Sequence, residues 1–220
     1  MTFTYRMGRA LCRFVGFCCI KLVVLHRERG DATGGVIVAC THLSHVEPFV
    51  LTALLKRPID WMARIEFYKY RVVAGVLRRT NAFPVDRYGV PVSSIRTAIA
   101  RAQEGRMVGI FPDGGVARGN DSIMRGGAFK KGVCVVSYRA RVPVLPVVVL
   151  GTEELTRVKP WLPFKHGSIQ VIFGNLVHPP LHEPRRRVAR EMMARDLQAE
   201  FQRLYAELCQ HCHFDEGAIG

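Results

Sequence analysis

Two stretches of this chain have nothing polar to turn toward water: Val36-Ile37-Val38-Ala39-Cys40 and Val144-Leu145-Pro146-Val147-Val148-Val149-Leu150. Side chains of a strand alternate between its two faces, so a continuous apolar run is apolar on both. Strands of that kind need cover on both sides, and helical crossovers supply it in α/β folds. The remaining pattern fits. Strands are expected at 59–63, 82–85, 107–111 and 169–173, and helices at 48–55, 66–79, 95–103, 130–139 and 185–208. In the 66–79 helix Val72, Val73, Val76 and Leu77 form the apolar side. In the last helix Val188, Met192, Leu197, Phe201, Leu204 and Leu208 do so. Ser93 or Ser94 caps the 95–103 helix and Gly105 stops it. Residues 116–128 carry glycines without a period and read as a loop. The fold class is α/β, with a mixed, largely parallel sheet flanked by helices.

Residues 1–29 stand apart. They hold six basic residues (Arg6, Arg9, Arg13, Lys21, Arg27, Arg29) against Glu28, beside Phe3, Tyr5, Leu11, Phe14, Phe17 and Leu22. This suits a basic amphipathic helical segment lying on anionic lipid, or else a docking helix of the domain itself. The most apolar part, Phe14 to Leu25, is interrupted by Lys21 and falls short of the roughly 18 apolar residues of a span. It has no small-residue cleavage site, so no secretory signal is expected. The organisation is then 1–29 as a membrane-associating segment, 30–208 as the folded domain and 209–220 as a tail. The expected location is the cytoplasmic face of the cell membrane, peripheral or monotopic.

The formal net charge of +14 favours phosphate-bearing partners. Within 56–87, eight basic residues face three acids, with Trp61, Phe67, Tyr68 and Tyr70 interleaved, a composition that also suits nucleic acid. No recognition-motif spacing accompanies it, so nucleic acid is not an expected partner. Of the seven cysteines, Cys12, Cys18, Cys19, Cys40 and Cys134 sit in apolar surroundings and read as reduced, and no spacing rule supports a disulfide. The tail run Cys209-Gln210-His211-Cys212-His213 matches a haem-attachment pattern, but that chemistry requires export. No cofactor and no metal are expected.

Chemistry concentrates at strand ends. Directly after Val36–Cys40 come Thr41-His42-Leu43-Ser44-His45-Val46-Glu47-Pro48. A neutral imidazole held by a carboxylate takes a proton from an alcohol, which makes His42 a candidate base and Glu47 its orienting group. Ser44 either assists or caps the helix that begins near Pro48. His42, His45 and Glu47 are all metal-ligand types, but their spacing matches no zinc pattern. The run Asn81 to Arg87 ends in an arginine suited to gripping a phosphate, or to pairing with Asp86. Strand 107–111 delivers Pro112-Asp113-Gly114-Gly115, with Arg118 close behind. That is the end of a strand where α/β sheets bind ligands, and the glycines allow close backbone approach.

Taken in order, these blocks resemble the glycerolipid acyltransferase family, typified by 1-acylglycerol-3-phosphate acyltransferases. The family's His-x4-Asp corresponds to His42–Glu47. Its Pro-Val-Asp-Arg-like run corresponds to Phe83–Arg87. Its Phe-Pro-Glu-Gly-Thr and Phe-Lys-Lys-Gly runs correspond to Phe111–Gly115 and Phe129–Gly132, and its Val-Pro-x-x-Pro-Val strand to Val142–Val147. The resemblance covers roughly residues 8–180. It implies a membrane-associated O-acyltransferase of phospholipid biosynthesis, with acyl-CoA or acyl-carrier protein as donor and a lyso-phospholipid or other lyso-lipid as acceptor. His42 and Glu47 are then catalytic, and Arg87, Asp113, Gly114, Gly115, Arg118 and Lys130 hold the acceptor. The two carboxylates are exchanged in length relative to the family, Glu47 for Asp and Asp113 for Glu, and Gly115 stands where the family has Thr. A catalytically inactive lipid-binding relative is the alternative implied by those departures.

Overall fold

A computed structural model describes residues 3–86, 92–153 and 167–212. Seven strands form one sheet in the order β1-β7-β6-β2-β5-β3-β4. The strands are β1 Ile20–Leu25, β2 Val36–Cys40, β3 Ile59–Arg64, β4 Phe83–Val85, β5 Met107–Ile110, β6 Val144–Leu150 and β7 Gly167–Phe173. Five of them, β6, β2, β5, β3 and β4, run in one direction. The pair β1 and β7 is parallel within itself and antiparallel to β6, so the sheet is mixed but largely parallel.

The helices are α1 Phe3–Cys19, α2 Glu47–Leu54, α3 Arg71–Arg79, α4 Val92–Gln103, α5 Gly132–Ala140 and α6 Arg186–Cys212. Both faces of the central strands are covered. Ile37 and Ala39 of β2, with Val144, Val148 and Leu150 of β6, pack against Ala98 and Ala102 of α4, Val133 and Val136 of α5, and Leu197, Phe201 and Leu204 of α6. Their alternates Val36, Val38, Cys40, Leu145, Val147 and Val149 pack under Leu51 and Leu54 of α2. Each fully buried Val, Leu, Ile or Phe side chain contributes about 1.5–3 kcal/mol, so these two layers supply the main driving force. Arg57 binds the carbonyls of Ala32, Gly34 and Gly105, so this member of the basic 56–87 stretch serves loop structure.

Several expectations change. Residues 20–25 are a sheet strand, so segment 1–29 contributes to the core as well as carrying the amphipathic helix. Tyr5 of α1 is buried, and its hydroxyl accepts the Ile59 N–H at 2.9 Å. The expected 66–79 helix is broken into a 3-10 turn at Ile65–Lys69 and α3, because Tyr70 between them has extended backbone. Its valines face outward, and Ala74 is the residue α3 buries. Ser94 lies inside α4 and its hydroxyl donates to the Pro84 carbonyl, which ties the helix to β4. The first turns of α6 bury Ala189 and Met193 rather than Val188 and Met192, and the helix continues into the tail as far as Cys212. His213 lies outside the described residues, and among those described no cluster of three metal-ligating side chains occurs.

Candidate active site

The loop after β2 turns into α2 with Pro48 in the first turn, a position where the missing N–H costs nothing. Ser44 settles its own role: its hydroxyl oxygen accepts the Val46 N–H at 3.0 Å and tightens the turn. Glu47 opens the helix, and its side chain folds back under the loop, fully buried. Its Oε1 accepts three hydrogen bonds, from Leu43 N–H at 3.1 Å, Ser44 N–H at 2.7 Å and the Thr152 hydroxyl at 2.6 Å. Three donors on one oxygen stabilise the carboxylate charge away from water. They also fix the second oxygen, Oε2, which sits 3.2 Å from Nδ1 of His42. His42 is 4% exposed.

The ring of His42 is held from the other side by aromatic stacking. Phe111, at the end of β5, lies 4.0 Å away between centroids, at 19° between planes. Trp61 of β3 stacks behind Phe111 at 5.1 Å and 13°. Gly109 makes room for that indole: a Cβ there would sit 2.2 Å from Cε3 of Trp61. Adjacent strands of the sheet therefore deliver a layered stack that ends on His42. His45 meets His42 edge-on at 5.8 Å.

Asp113 lies next to this centre, with both oxygens engaged by the protein. Oδ2 accepts the backbone N–H of His42 at 3.2 Å, and Oδ1 accepts that of Ile123 at 2.9 Å. It bridges the His42 loop to the loop after β5. Burial pushes its carboxyl above the ordinary value, and the hydrogen bonds from Ile123 and His42 oppose that rise. Gly114 follows in the left-handed region with φ +75°, where a glycine carries no steric cost, and its N–H closes a turn on Phe111 O at 3.0 Å. The Lys130 side chain crosses directly over Gly114, and the Lys130 N–H donates to Pro112 O at 2.8 Å. Arg118 is exposed, and its Nε donates to the Leu43 carbonyl at 3.2 Å.

His42, Glu47, Asp113, Gly114, Gly115, Arg118 and Lys130 thus converge at the C-terminal ends of β2 and β5. Arg87 lies outside the described residues. Three contributors went unread in the sequence: Thr152, which follows β6 and lies far from Glu47 along the chain, and the roles of Phe111 and Trp61 as a stack. Trp61 within β3 and Phe111 directly after the adjacent β5 were the available signal for the stack; Thr152 left none.

An apolar groove of about 350 Å³ opens beside the site, between α1 and α2, lined by Leu11, Ile20, Leu22, Val46, Phe49 and Ala53 among others. Val46 immediately precedes Glu47, so the groove begins next to the histidine–carboxylate pair.

Comparison with known proteins places the chain in a family. The family model described as Acyltransferase matches residues 21–150. The 1-acyl-sn-glycerol-3-phosphate acyltransferase of Bacillus subtilis (strain 168) is 30% identical over 156 residues, covering 70% of this chain and 73% of that protein. A probable 1-acyl-sn-glycerol-3-phosphate acyltransferase of Mycoplasma genitalium is 28% identical over 66% of this chain, which spans a little over half of that protein (57%). The crystal structure of the 1-acyl-sn-glycerophosphate (LPA) acyltransferase PlsC from Thermotoga maritima shares the fold, with a TM-score of 0.59 at 22% identity over 89% of this chain and 78% of that one. From its β2–α2 and β5 motifs through its mixed sheet to its relatives, the chain belongs to the acyltransferase family and is an enzyme of acyl transfer.

Proposed function

We propose that this enzyme moves a fatty acyl chain from acyl-CoA or acyl-carrier protein to the hydroxyl of a lyso-phospholipid of the 1-acylglycerol-3-phosphate type. The reading rests on the 3.2 Å contact between His42 Nδ1 and Glu47 Oε2. With Nδ1–H donated to Glu47, the second ring nitrogen, Nε2, carries the lone pair. It takes the proton of the acceptor hydroxyl as that oxygen attacks the thioester carbonyl carbon. A C–O bond forms, the C–S bond breaks, and the leaving thiolate takes the proton back from His42. Glu47 stabilises the imidazolium in between. Positioned base catalysis contributes about 10²–10⁴-fold, and holding both substrates in line supplies much of the rest.

Lys130, Arg118, Arg87 and the backbone around Gly114 and Gly115 hold the acceptor phosphate. Asp113 acts as a brace: with both oxygens on backbone amides, it fixes the loop that carries His42. The apolar groove between α1 and α2 takes an acyl chain. The enzyme works at an anionic membrane surface, on its cytoplasmic face. Among the described residues no helix is long and apolar enough to cross a membrane, and α1 carries its apolar stripe Phe3, Met7, Leu11 and Phe14 on the outside. The test offers labelled acyl-CoA and acyl-carrier protein, with a panel of lyso-lipids, to the wild type and to His42→Ala. Product from the wild type that disappears in the variant supports the reading. Unchanged product from His42→Ala refutes His42 as the base.

A further inference from the structure

Helix α3 is amphipathic with its apolar side turned to solvent. Val72 is 81% exposed, Val73 40% and Val76 49%, while Ala74 is buried. The preceding turn adds Ile65, Phe67 and Tyr70, all exposed. Contiguous apolar surface of this kind marks an interaction site in a folded protein. Its rim is basic: Lys69, Arg71, Arg78 and Arg79 are exposed, and the one acid between residues 65 and 79, Glu66, pairs with Arg64 at 3.3 Å. Helix α3 also packs beside α1, whose outward stripe runs along Phe3, Met7, Leu11 and Phe14 with Arg6 and Arg13 exposed next to it. Both helices therefore pair outward apolar groups with arginines on neighbouring parts of the molecule.

We propose that α3, with the turn before it, is a second lipid-inserting element that sits in the headgroup boundary of an anionic bilayer alongside α1. The inference rests on the membrane association put forward above, and names the surface that orients it. Charge selects the occupant. A second copy of this chain would bring the same arginines against this face, whereas anionic headgroups neutralise them and leave the valines to the acyl region. Geometry gives the element its purpose. A single interfacial helix leaves the domain free to roll about that helix. A second contact removes that freedom. Helix α3 follows β3 through a short turn, at the end of the sheet where parallel β2 and β5 carry the His42 and Asp113 loops. Seating α3 thus fixes which way the site faces the lipid.

The experiment measures sedimentation of the full chain with vesicles of phosphatidylcholine mixed with anionic phosphatidylglycerol. It compares the wild type, Val72→Ser with Val76→Ser, and Phe3→Ser with Leu11→Ser. Val72→Trp adds a depth readout, quenching by brominated lipid beyond that of the wild type. The expected result is about tenfold or greater weakening of binding by the α3 pair, from lost apolar insertion, with unchanged thermal unfolding. The Val72→Trp emission should be quenched. Wild-type binding by the α3 pair together with no added quenching overturns the proposal, even if the α1 pair loses binding. Loss of self-association by the α3 pair, with vesicle binding intact, also overturns it and assigns the face to a second copy. If the wild type itself does not bind vesicles, the membrane reading beneath the proposal falls with it.

Discussion

Replacing Glu47 by glutamine changes the donor character of one atom and leaves the shape of the side chain as it was. Three donors converge on Oε1, from Leu43, Ser44 and Thr152, so the amide oxygen of a glutamine must take that place. The opposite orientation would set an NH₂ group against those donors, and each unsatisfied buried group costs about 1–3 kcal/mol. The NH₂ is then presented to His42 Nδ1, across the 3.2 Å now bridged by Oε2. Nδ1 must accept, the ring proton moves to Nε2, and the nitrogen that faces the acceptor hydroxyl no longer has a lone pair. An equivalent carboxylate-to-amide change in a Ser-His-Asp triad lowers kcat about 10⁴-fold through the same tautomer switch, equivalent to about 5.4 kcal/mol. The expected outcome for Glu47→Gln is a loss of about 10³–10⁴-fold in acyl transfer turnover. Its thermal unfolding should stay close to that of the wild type, since all three buried donors keep an acceptor. Turnover with labelled acyl donor and a calorimetric melt, on the same preparation, read both quantities. Retention of more than about a tenth of the turnover, with the fold intact, would refute the role given to the carboxylate.

Two further outcomes test the shell around the pair. Thr152→Val removes a hydroxyl donor to a buried carboxylate, an interaction of about 1.5–3 kcal/mol; it should lower the melting temperature and, separately, reduce turnover about tenfold, with Thr152→Ser recovering both. Gly109→Ala places a methyl 2.2 Å from the Trp61 ring. It should destabilise the fold by about 1–3 kcal/mol in a denaturant titration and lower turnover further by displacing the Trp61–Phe111–His42 stack, seen as an altered near-ultraviolet dichroism spectrum.

How far the sequence could be read depended on whether the relevant neighbours were local. β2 and β6 were legible because a fully apolar strand allows few environments, and the structure buries every residue of both. His42 and Glu47 were legible because one loop and one helical turn hold them together. The strand at 20–25 was not. A short apolar run interrupted by Lys21 reads equally well as the end of the preceding helix, and its partner β7 is remote in sequence. The apolar side of α3 was legible as a pattern but its exposure was not, since periodicity gives a face without saying what covers it. Asp113 is placed among the groups that hold the acceptor by the resemblance to the acyltransferases. Its engagement by the His42 and Ile123 amides depends on two loops meeting, which no local spacing encodes. Thr152 illustrates the same limit, being an ordinary residue until β6 carries it beneath Glu47.

The pairing of β1 with β7 also bears on the order in which the molecule is made. Ile20 finds its partner at Gly167, after most of the chain has been synthesised. Long-range pairings of this kind form late, because loop closure must precede the contacts that reward it. Until β7 emerges from the ribosome, β1 has no neighbour in the sheet, and the helix ahead of it is tethered only through its own packing. During that interval β2 to β6, which all precede β7 in the chain, can pair among themselves while β1 waits for its partner. The amino-terminal strand, first to be made, is thus the last part of the sheet to be locked in place.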